Sequence, residues 1–378
     1  MLLYPTAVLA LDGACGLGYD EFLTLSVGGF VGFGLGPLPA GWLGDRWSRT
    51  GMLAIFFVGI GASSVVTGLA DSPFELAVGL SLIGLFASIY HSIGTALVVA
   101  GTDRVGRALG VNGVFGNMGV AVAALAAGAL SDVYGWRAAF LAPGVAVLAT
   151  GAACMWCLVG ANHHPPSADN PAAFRDSGQQ ARVRVFMVLA VAALFGGLIY
   201  SATTVAMPKV FDVRVSSLAG SGLGIGGVLA IIYAVAAFAQ IFVGRLIDSL
   251  PIRRVYIYIL LFQASVLLAA STLHGIPLVA VTLVAMALIF GEIPIHDALV
   301  ARYTPAHWRS RVYAIKCFVG LGVGALDVPM VALVYRLSGD FTWLFVIYAA
   351  LAVAMVVTAT LLPGEGSYVR TRPATAAI

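Results

Sequence analysis

Charged residues are scarce in this sequence. Lys and Arg contribute 20 residues and Asp and Glu 17 among 378, so that 10% are charged and 60% hydrophobic. A soluble protein has roughly 25% charged residues, and a chain this poor in them cannot cover its surface with polar groups in water. The sequence therefore predicts a polytopic membrane protein with the lipid bilayer around it. The small net charge of +3 gives no sign of a nucleic-acid partner.

Cysteine is equally rare, and its four residues show no disulfide pattern. Cys154 and Cys157 form a Cys-x-x-Cys inside an apolar run, which we interpret as packing rather than as redox or metal chemistry. The glycines of 222–227 fit Gly-x-Gly-x-x-Gly, but no strand precedes them, so they predict a helix and no dinucleotide site. Without a nucleophile–base pair, a metal cluster or a phosphate loop, we expect no enzyme, no cofactor and no metal. The first residues carry neither a basic region nor a cleavage site, so we expect no cleaved signal peptide.

Long apolar runs are abundant. At about 1.5 Å per helical residue, each run can cross a hydrocarbon core of about 30 Å. They predict eleven complete helices near residues 22–43, 52–70, 74–100, 108–131, 137–159, 184–208, 219–247, 255–273, 277–301, 311–336 and 341–362.

The turn after the first of these runs carries Gly41, Asp45, Arg46 and Arg49. With Leu43, they match five positions of the signature Gly-x-Leu-Ala-Asp-Arg-x-Gly-Arg-Lys. The sequence therefore resembles the major facilitator superfamily of secondary transporters. It departs from the signature at Gly44, Ser48 and Thr50.

The same pattern occurs a second time. Gly244 and Asp248 stand 203 residues after Gly41 and Asp45, and Arg253 follows them. Parallel repeats of this length are expected of two halves related by an axis along the membrane normal. We therefore predict an all-α fold of two six-helix bundles around a central cavity. The predicted domains are an N-terminal bundle at 1–159, a cytoplasmic linker at 160–183, a C-terminal bundle at 184–362 and a cytoplasmic tail at 363–378.

The first helix of the N-terminal bundle looks incomplete. At the offset of 203, Pro5 corresponds to Pro208, which closes the run at 184–208, so most of that run has no counterpart in the sequence. We expect roughly 20 residues, about one span, to be missing from the start. A short, tilted helix from Leu2 to Leu17 is the alternative.

Orientation follows from Lys and Arg, which are enriched in cytoplasmic loops. With the turn at 45–51 inside, fifteen of the 20 fall in cytoplasmic segments, and the other five are Arg137, Lys209, Arg214, Lys316 and Arg336. We therefore expect a multi-pass protein of the bacterial inner membrane, with its linker and tail in the cytoplasm.

Ionisable and amide side chains inside spans are costly, so they are expected to face a cavity or a partner. The resemblance implies that those of this chain lie on helices that line the central cavity. The candidates for solute and proton binding are Tyr90, His91, Asn112, Asn117, Glu292, His296, Lys316 and Asp327. Glu292 and His296 share one helix face, whereas Asp297 stands about 140° from Glu292.

The resemblance also implies that the signature Asp caps the contact between the halves, near the start of the eleventh helix of the family. A helix N-terminus carries about half a positive charge, so Asp45 there, held by Arg46 and Arg49, would stabilise the outward-facing state. The predicted gate consists of Gly41, Asp45, Arg46, Arg49, Gly244, Asp248 and Arg253.

Two interpretations of Glu292 stay open. It can form an ion pair with Lys316 that only orients the helices, or it can accept and release a proton near the midplane, tuned by His296 and Lys316, because a carboxylate in a low dielectric can titrate near neutral pH. His91 is the other candidate proton carrier, with simple packing as its alternative.

We expect a monomeric, proton-coupled transporter of a small polar or anionic solute. The run Ile89–Gly94 resembles the aromatic-His-Pro-x-Gly run of fosmidomycin-resistance-like members, with Ser92 in place of the Pro, and this favours efflux. Lys316 gives the cavity one fixed positive site, which suits import or export of an organic anion equally. A transporter-like receptor or scaffold without transport, and an integral-membrane enzyme, are the competing classes.

Overall fold

The computed structural model describes residues 25–160, 178–215, 217 and 222–363. Within these ranges every regular element is a helix. Eight helices are long and apolar enough to cross a membrane by themselves, which confirms the predicted all-α membrane fold. The expectations for the first helix, for most of the linker and for the tail lie outside the described residues.

The N-terminal half follows the predicted spans from residue 27 onward. The run at 22–43 is divided near Gly36, because Pro37 starts a second piece with no N–H group to donate to the preceding turn. The helices are α1 Val27–Leu35, α2 Pro37–Arg46, α3 Arg49–Gly68, α4 Pro73–Ala100, α5 Val105–Tyr134 and α6 Ala138–Gly160.

The C-terminal half contains all six of its predicted spans. Its first span is interrupted by a π turn, Ala192–Gly196, and its second span by Phe238. A short 3₁₀ turn, Ala306–Trp308, precedes the eleventh span. The helices are α7 Gln179–Val191, α8 Gly197–Arg214, α9 Gly222–Ala237, α10 Ala239–Ser249, α11 Ile252–Ala270, α12 Gly275–Tyr303, α13 Arg309–Ser338 and α14 Thr342–Ala359.

The repeat is visible in how α5 and α13 end. Each stops at a glycine with positive φ, Gly135 at 83° and Gly339 at 69°. A side chain with a Cβ rarely adopts this conformation, so glycine suits both helix ends. The two glycines stand 204 residues apart, the same offset that relates the start of α5 to the start of α13.

We call the end of the molecule that carries Asp45 and Asp248 the gate end. There the two halves are in close contact along two pairs of helices, α2 with α13 and α5 with α10. A Cβ added at Gly41 would lie 2.6 Å from the carbonyl oxygen of Ser310, and one added at Gly244 would lie 2.2 Å from that of Gly106. Glycine is required at these points because the backbones themselves touch.

The described helices diverge toward the other end, which we call the far end. Gly34 lies seven residues before Gly41, on α1, and Gly226 lies eighteen residues before Gly244, on α9. No described atom would lie within 4 Å of a Cβ at Gly34 or Gly226. Among the described residues, the seam between the halves is therefore closed at the gate end and open at the far end.

Loops at the far end are held by a buried arginine. The guanidinium of Arg214 is 1% exposed, bonds to Asp340 and Thr342, and donates to the carbonyl oxygens of Ala270 and Ser271 at 3.0 Å. The hydrogen bonds from Arg214 hold the pKa of Asp340 below its usual range. This arginine thereby joins three connections of the C-terminal half.

Candidate functional site

Asp45 caps helix α13 of the opposite half. Its carboxylate accepts hydrogen bonds from the backbone N–H groups of Ser310 at 3.2 Å and Arg311 at 3.0 Å, which lie in the first turn of α13. Arg49 donates to the same carboxylate at 2.7 Å and to the Ser310 hydroxyl at 2.9 Å, and it also reaches the carbonyl oxygen of Ala306. The carboxylate is fully buried, so one charged cluster closes this contact.

Asp248 makes the equivalent cap on helix α5. Its two oxygens accept from the N–H groups of Gly106 and Arg107, both at 2.8 Å. These residues correspond to Ser310 and Arg311 at the offset of 204. Each half therefore supplies an aspartate that satisfies N–H groups at the start of a helix in the other half, groups that an α-helix leaves without a partner of its own.

Two arginines of the predicted gate do not act as expected. Arg46 lies over the ring of Trp42, at 5.2 Å from its centroid, and does not hold Asp45. The additional charge near Asp45 comes instead from Arg311 at 3.9 Å. Arg253 makes no hydrogen bond or ion pair with Asp248 among the described residues, because it begins α11, one turn beyond the cap.

Beyond the gate end, buried polar side chains follow the seam between α5 and the α9–α10 span. Gln240 of α10 packs on Gly113 of α5, where an added Cβ would lie 1.9 Å from its Oε1 atom. Asn117 lies one turn after Gly113 on α5. Tyr233 lies about two turns before Gln240 in the α9–α10 span. Each is on the face that meets the other half. Asn117 Nδ2, Tyr233 Oη and Gln240 Oε1 are buried without a hydrogen-bond partner among the described residues. We call these three residues the polar floor.

Aromatic rings support the polar floor from the C-terminal half. Phe290 of α12 lies 6.2 Å from the ring of Tyr233 and 5.6 Å from that of Tyr200, between centroids. Its side chain is 4% exposed. The three rings keep Tyr233 in place while its hydroxyl stays without a partner.

Titratable groups from the two halves approach one another beside this seam. Lys316 of α13 forms an ion pair with Asp297 of α12, and both charges act on His91 of α4. His91 is deep in the molecule, yet its side chain is accessible, and the ring of Phe33 lies edge-on to it at 5.2 Å. His91, Asp297 and Lys316 therefore line the open space together.

Of the two interpretations left open for Glu292, the structure contradicts the ion pair with Lys316. Lys316 pairs with Asp297, which stands on a different face of α12 from Glu292, as the helical angle required. The face with Asp297 is the one that meets α13 and α4. The face with Glu292 turns into the C-terminal bundle.

Glu292 is buried inside that bundle and not at the central space. The residue is 3% exposed, and neither carboxylate oxygen has a hydrogen-bond partner among the described residues. His296 approaches it to 3.6 Å while the His296 Nε2 atom lies 2.9 Å from the Tyr256 hydroxyl of α11. Gln263, also of α11, approaches the carboxylate, but its amide forms no hydrogen bond within ordinary geometry.

The π turn closes this pocket from the other side. Gly196, its last residue, is so close that an added Cβ would lie 3.5 Å from the His296 ring and 3.6 Å from a Glu292 oxygen. A π turn inserts one residue into a helix and is frequent at functional sites. We call Glu292, His296, Tyr256, Gln263 and Gly196 the buried carboxylate cluster.

The remaining predicted residues are divided between these places. Tyr90 donates to Asn112 at 2.6 Å and lies 5.4 Å from the ring of Phe56, so this pair joins α3, α4 and α5 within the N-terminal bundle. Asp327 lies in α13, but its side chain is outside the described part of the structure. Of the eight predicted residues, His91 and Lys316 approach each other from the two halves, and Asn117 lies one turn along α5 from Gly113, on which Gln240 packs.

Several polar residues were absent from the predicted set. Gln240 and Gln263 stand deep in apolar runs and are fully buried, so their cost in a membrane was a signal that the sequence offered. Tyr233 and Tyr256 gave no comparable signal, because tyrosine is common in membrane helices. The π turn at 192–196 has no sequence mark.

Comparisons with known proteins agree on one family. The model of the Major Facilitator Superfamily matches residues 1–289. The curated relatives include the puromycin resistance protein pur8 of Streptomyces alboniger, 31% identical over 117 residues, and a gallate transporter of Pseudomonas putida, 30% identical over 145 residues. These matches cover 30% and 38% of this chain and only 22% and 32% of the two relatives.

Solved structures resemble this chain over nearly its full length. The transporter FucP in an outward conformation aligns with a TM-score of 0.76 at 12% identity, covering 96% of this chain and 97% of FucP. The human organic anion transporter MFSD10 aligns at 0.69 and 18% identity, with 90% and 83% covered. The proton:xylose symporter XylE aligns at 0.69 and 13% identity, with 96% and 93% covered.

Proposed function

The chain belongs to the Major Facilitator Superfamily, and we propose that it is a proton-coupled secondary transporter that carries a small polar or anionic solute by alternating access. One observation carries this proposal: the seam between the halves is closed by Asp45 and Asp248 at the gate end and open at Gly34 and Gly226. A cavity open to one side, above a contact that can separate, is the geometry that alternating access requires.

The gate end is cytoplasmic in this proposal. Lys and Arg are concentrated in the connections at that end, as the orientation rule for bacterial membranes requires. The described state is then outward-facing, and the solute enters from outside or leaves to it. The protein works as a monomer in the inner membrane, since each monomer contains both halves of the cavity.

The polar floor is the proposed contact for the solute. Three buried polar atoms without partners cost free energy, about 1–3 kcal/mol each, and a solute with hydroxyl, amide or carboxylate groups would satisfy them. The named relatives suggest two probes of different chemistry, gallate and puromycin. Gallate is the smaller and carries the anionic group that this proposal favours.

Glu292 is the proposed proton carrier. A buried carboxylate without a positive partner is stable in an apolar bundle when it is protonated or when it binds a cation. A Cβ added at Gly196 of the π turn would lie 3.6 Å from the carboxylate, so a change in charge there would act on the α7–α8 span, whose Tyr200 packs on Phe290 beside the polar floor. This would connect protonation inside one half to the shape of the cavity.

Export is the proposed direction, on the likeness of the run around His91 to efflux proteins. Import of an organic anion is the second candidate, and the ion pair of Asp297 with Lys316 favours it. Lys316 would supply the positive charge for an anion, with Asp297 holding it in place until the solute arrives.

Flux measurements in proteoliposomes test the proposal. Purified protein is reconstituted, and uptake of labelled gallate and puromycin is followed with and without a pH gradient. We expect flux of one probe to depend on the gradient, and its sign to separate export from import. A correctly folded protein that moves neither probe with any gradient, and binds neither, would support the receptor or scaffold class instead.

A matched pair of variants tests the polar floor. Tyr233→Phe removes a buried hydroxyl of the polar floor that has no partner among the described residues, whereas Tyr90→Phe removes one that is bonded to Asn112 inside a bundle. We expect Tyr233→Phe to raise the KM of the transported probe by roughly tenfold. Tyr90→Phe should lower the free energy of unfolding by about 1 kcal/mol without a change in KM. Equal KM values for both variants and the wild type would exclude Tyr233 from the site.

A further inference from the structure

The two gates have the same backbone geometry but different surroundings. Beside Asp248, a cavity of about 490 Å³ opens at the gate end, between the start of α5 and the ends of α10 and α12. Four arginines line it, Arg104 and Arg107 from the N-terminal half and Arg245 and Arg302 from the C-terminal half. We call this cavity the arginine pocket.

The repeat shows what is unusual about the arginine pocket. At the offset of 203, Arg245 corresponds to Trp42, and at the offset of 204, Arg104 corresponds to Trp308. Beside Asp45 those tryptophans stack on arginines: Arg46 lies 5.2 Å from Trp42, and Arg311 lies 4.5 Å from Trp308. Beside the Asp45 cap, tryptophans therefore occupy the two positions at which the other gate has charged side chains and open space.

Among the described lining residues of the arginine pocket, four arginines face two aspartates, Asp103 and Asp248, so positive charge is in excess. Arg104, Arg107 and Arg245 make no side-chain hydrogen bond or ion pair there. Both oxygens of Asp248 are engaged by backbone N–H groups of α5. Arg302 donates to the carbonyl oxygen of Ile247 at 2.8 Å, and Asp103 is the other acidic residue of the lining.

We infer that the arginine pocket binds a phosphate-type anion that joins the two halves across the second gate. Guanidinium groups bind phosphate oxygens in a bidentate manner and are the preferred side chains for this purpose. A cavity of this size is within the range of small-ligand sites. The anion is either the headgroup of an acidic phospholipid of the cytoplasmic leaflet or a soluble phosphate compound, and both offer the same oxygens.

Because the arginines of the pocket come from both halves, a bound anion affects the gate. The pocket exists only while α5 and α10 are in contact, so an anion that bridges them binds the closed gate more tightly than the open one. A ligand shifts an equilibrium by its difference in affinity for the two states. The bound anion would therefore favour the outward-facing state and slow the return of the empty carrier.

Thermal unfolding of the purified, full-length protein tests this inference. The unfolding temperature is measured with inorganic phosphate, with dioctanoyl phosphatidylglycerol and with dioctanoyl phosphatidylcholine, for the wild type and for Arg245→Gln. Arg184→Gln is the control, since it removes the same charge from an exposed position on α7 outside the pocket. Arg245→Trp is the second test variant, because it places in the pocket the residue that the repeat has at position 42.

We expect phosphatidylglycerol, inorganic phosphate or both to raise the unfolding temperature of the wild type and of Arg184→Gln. Arg245→Gln should bind that ligand roughly tenfold more weakly, and Arg245→Trp should fold but show no shift. A shift with phosphatidylglycerol alone identifies the lipid headgroup, and one with phosphate alone identifies a soluble ligand. No shift with either, or an equal shift in all four proteins, would overturn the inference.

Discussion

Replacing Asp45 by Asn should open the gate end by an amount that the structure allows us to work out. The carboxylate accepts two backbone N–H bonds from α13 and one bond from Arg49, and it is fully buried. An Asn side chain keeps one acceptor oxygen and presents an NH₂ group where the second oxygen was. One N–H bond to a charged acceptor and the ion pair with Arg49 are therefore lost. Hydrogen bonds to charged groups contribute about 1.5–3 kcal/mol each.

Arg49 lies in the same half as Asp45, so only the lost N–H bond acts directly across the gate. At about 1.5–3 kcal/mol, its loss changes the ratio of closed to open gate by roughly 10- to 150-fold. Asp248→Asn should have a smaller effect, since that aspartate is solvent-exposed and has no arginine bonded to it among the described residues. The two caps are equivalent in backbone geometry. Their different burial therefore predicts the order of the two effects.

Distances between spin labels at Thr50 and His307 measure the gate directly. Both residues are exposed at the gate end, one in each half, and the native cysteines are replaced beforehand. We expect the distance distribution to widen strongly in Asp45→Asn, less in Asp248→Asn, and not at all in Asp71→Asn, which removes an exposed charge at the far end. An unchanged distribution in folded Asp45→Asn protein would refute the role of the cap.

Three further predictions follow from other parts of the structure. Glu292→Gln should abolish transport driven by a pH gradient and leave solute exchange at equal pH intact; accumulation against a gradient by this variant would assign Glu292 to a structural role. Gly244→Ala should reduce transport at least tenfold, because its Cβ meets a backbone carbonyl at 2.2 Å, whereas Gly226→Ala, in open space within the same span, should match the wild type in the same flux assay. Arg214→Gln should lower the free energy of unfolding by about 3 kcal/mol, measured by thermal unfolding at neutral pH. The pKa of Asp340 is lowered in the folded protein. The ionised carboxylate therefore stabilises the fold above the usual Asp pKa of about 4, and this stabilisation is lost as the pH falls below that value. The difference in free energy of unfolding between the wild type and Asp340→Asn should shrink in acid; a constant difference would contradict this.

The sequence was sufficient for the parts that repeat. Gly41, Asp45 and the offset of 203 predicted where the halves meet, and the structure has Asp248 and the starts of α5 and α13 in equivalent positions. Such contacts are recognisable because turns carry charge and glycine against an apolar background. Each turn caps the N-terminus of a helix, whose first N–H groups need acceptors, and this need occurs in both halves of the repeat.

The inward or outward direction of each polar side chain was harder to predict. Glu292 and Asp297 are five residues apart, and the sequence correctly separated their faces, yet it could not tell which face met the cavity. Both faces of α12 are apolar elsewhere, because one packs on α11 and the other on the opposite half. Hydrophobicity distinguishes water from lipid, and it does not distinguish one buried neighbour from another.

Reciprocal capping also has a consequence for how the chain is made. The residues that Asp248 caps lie 142 and 141 positions before it, and those that Asp45 caps lie 265 and 266 positions after it. When the N-terminal half leaves the ribosome, the start of α5 has no cap, and Asp45 has no helix to bind. The second half must be inserted before either cap can form. Until then, the N-terminus of helix α5 and the carboxylate of Asp45 in the first half are exposed to water. Synthesis of α10 and then α13 completes both caps in that order.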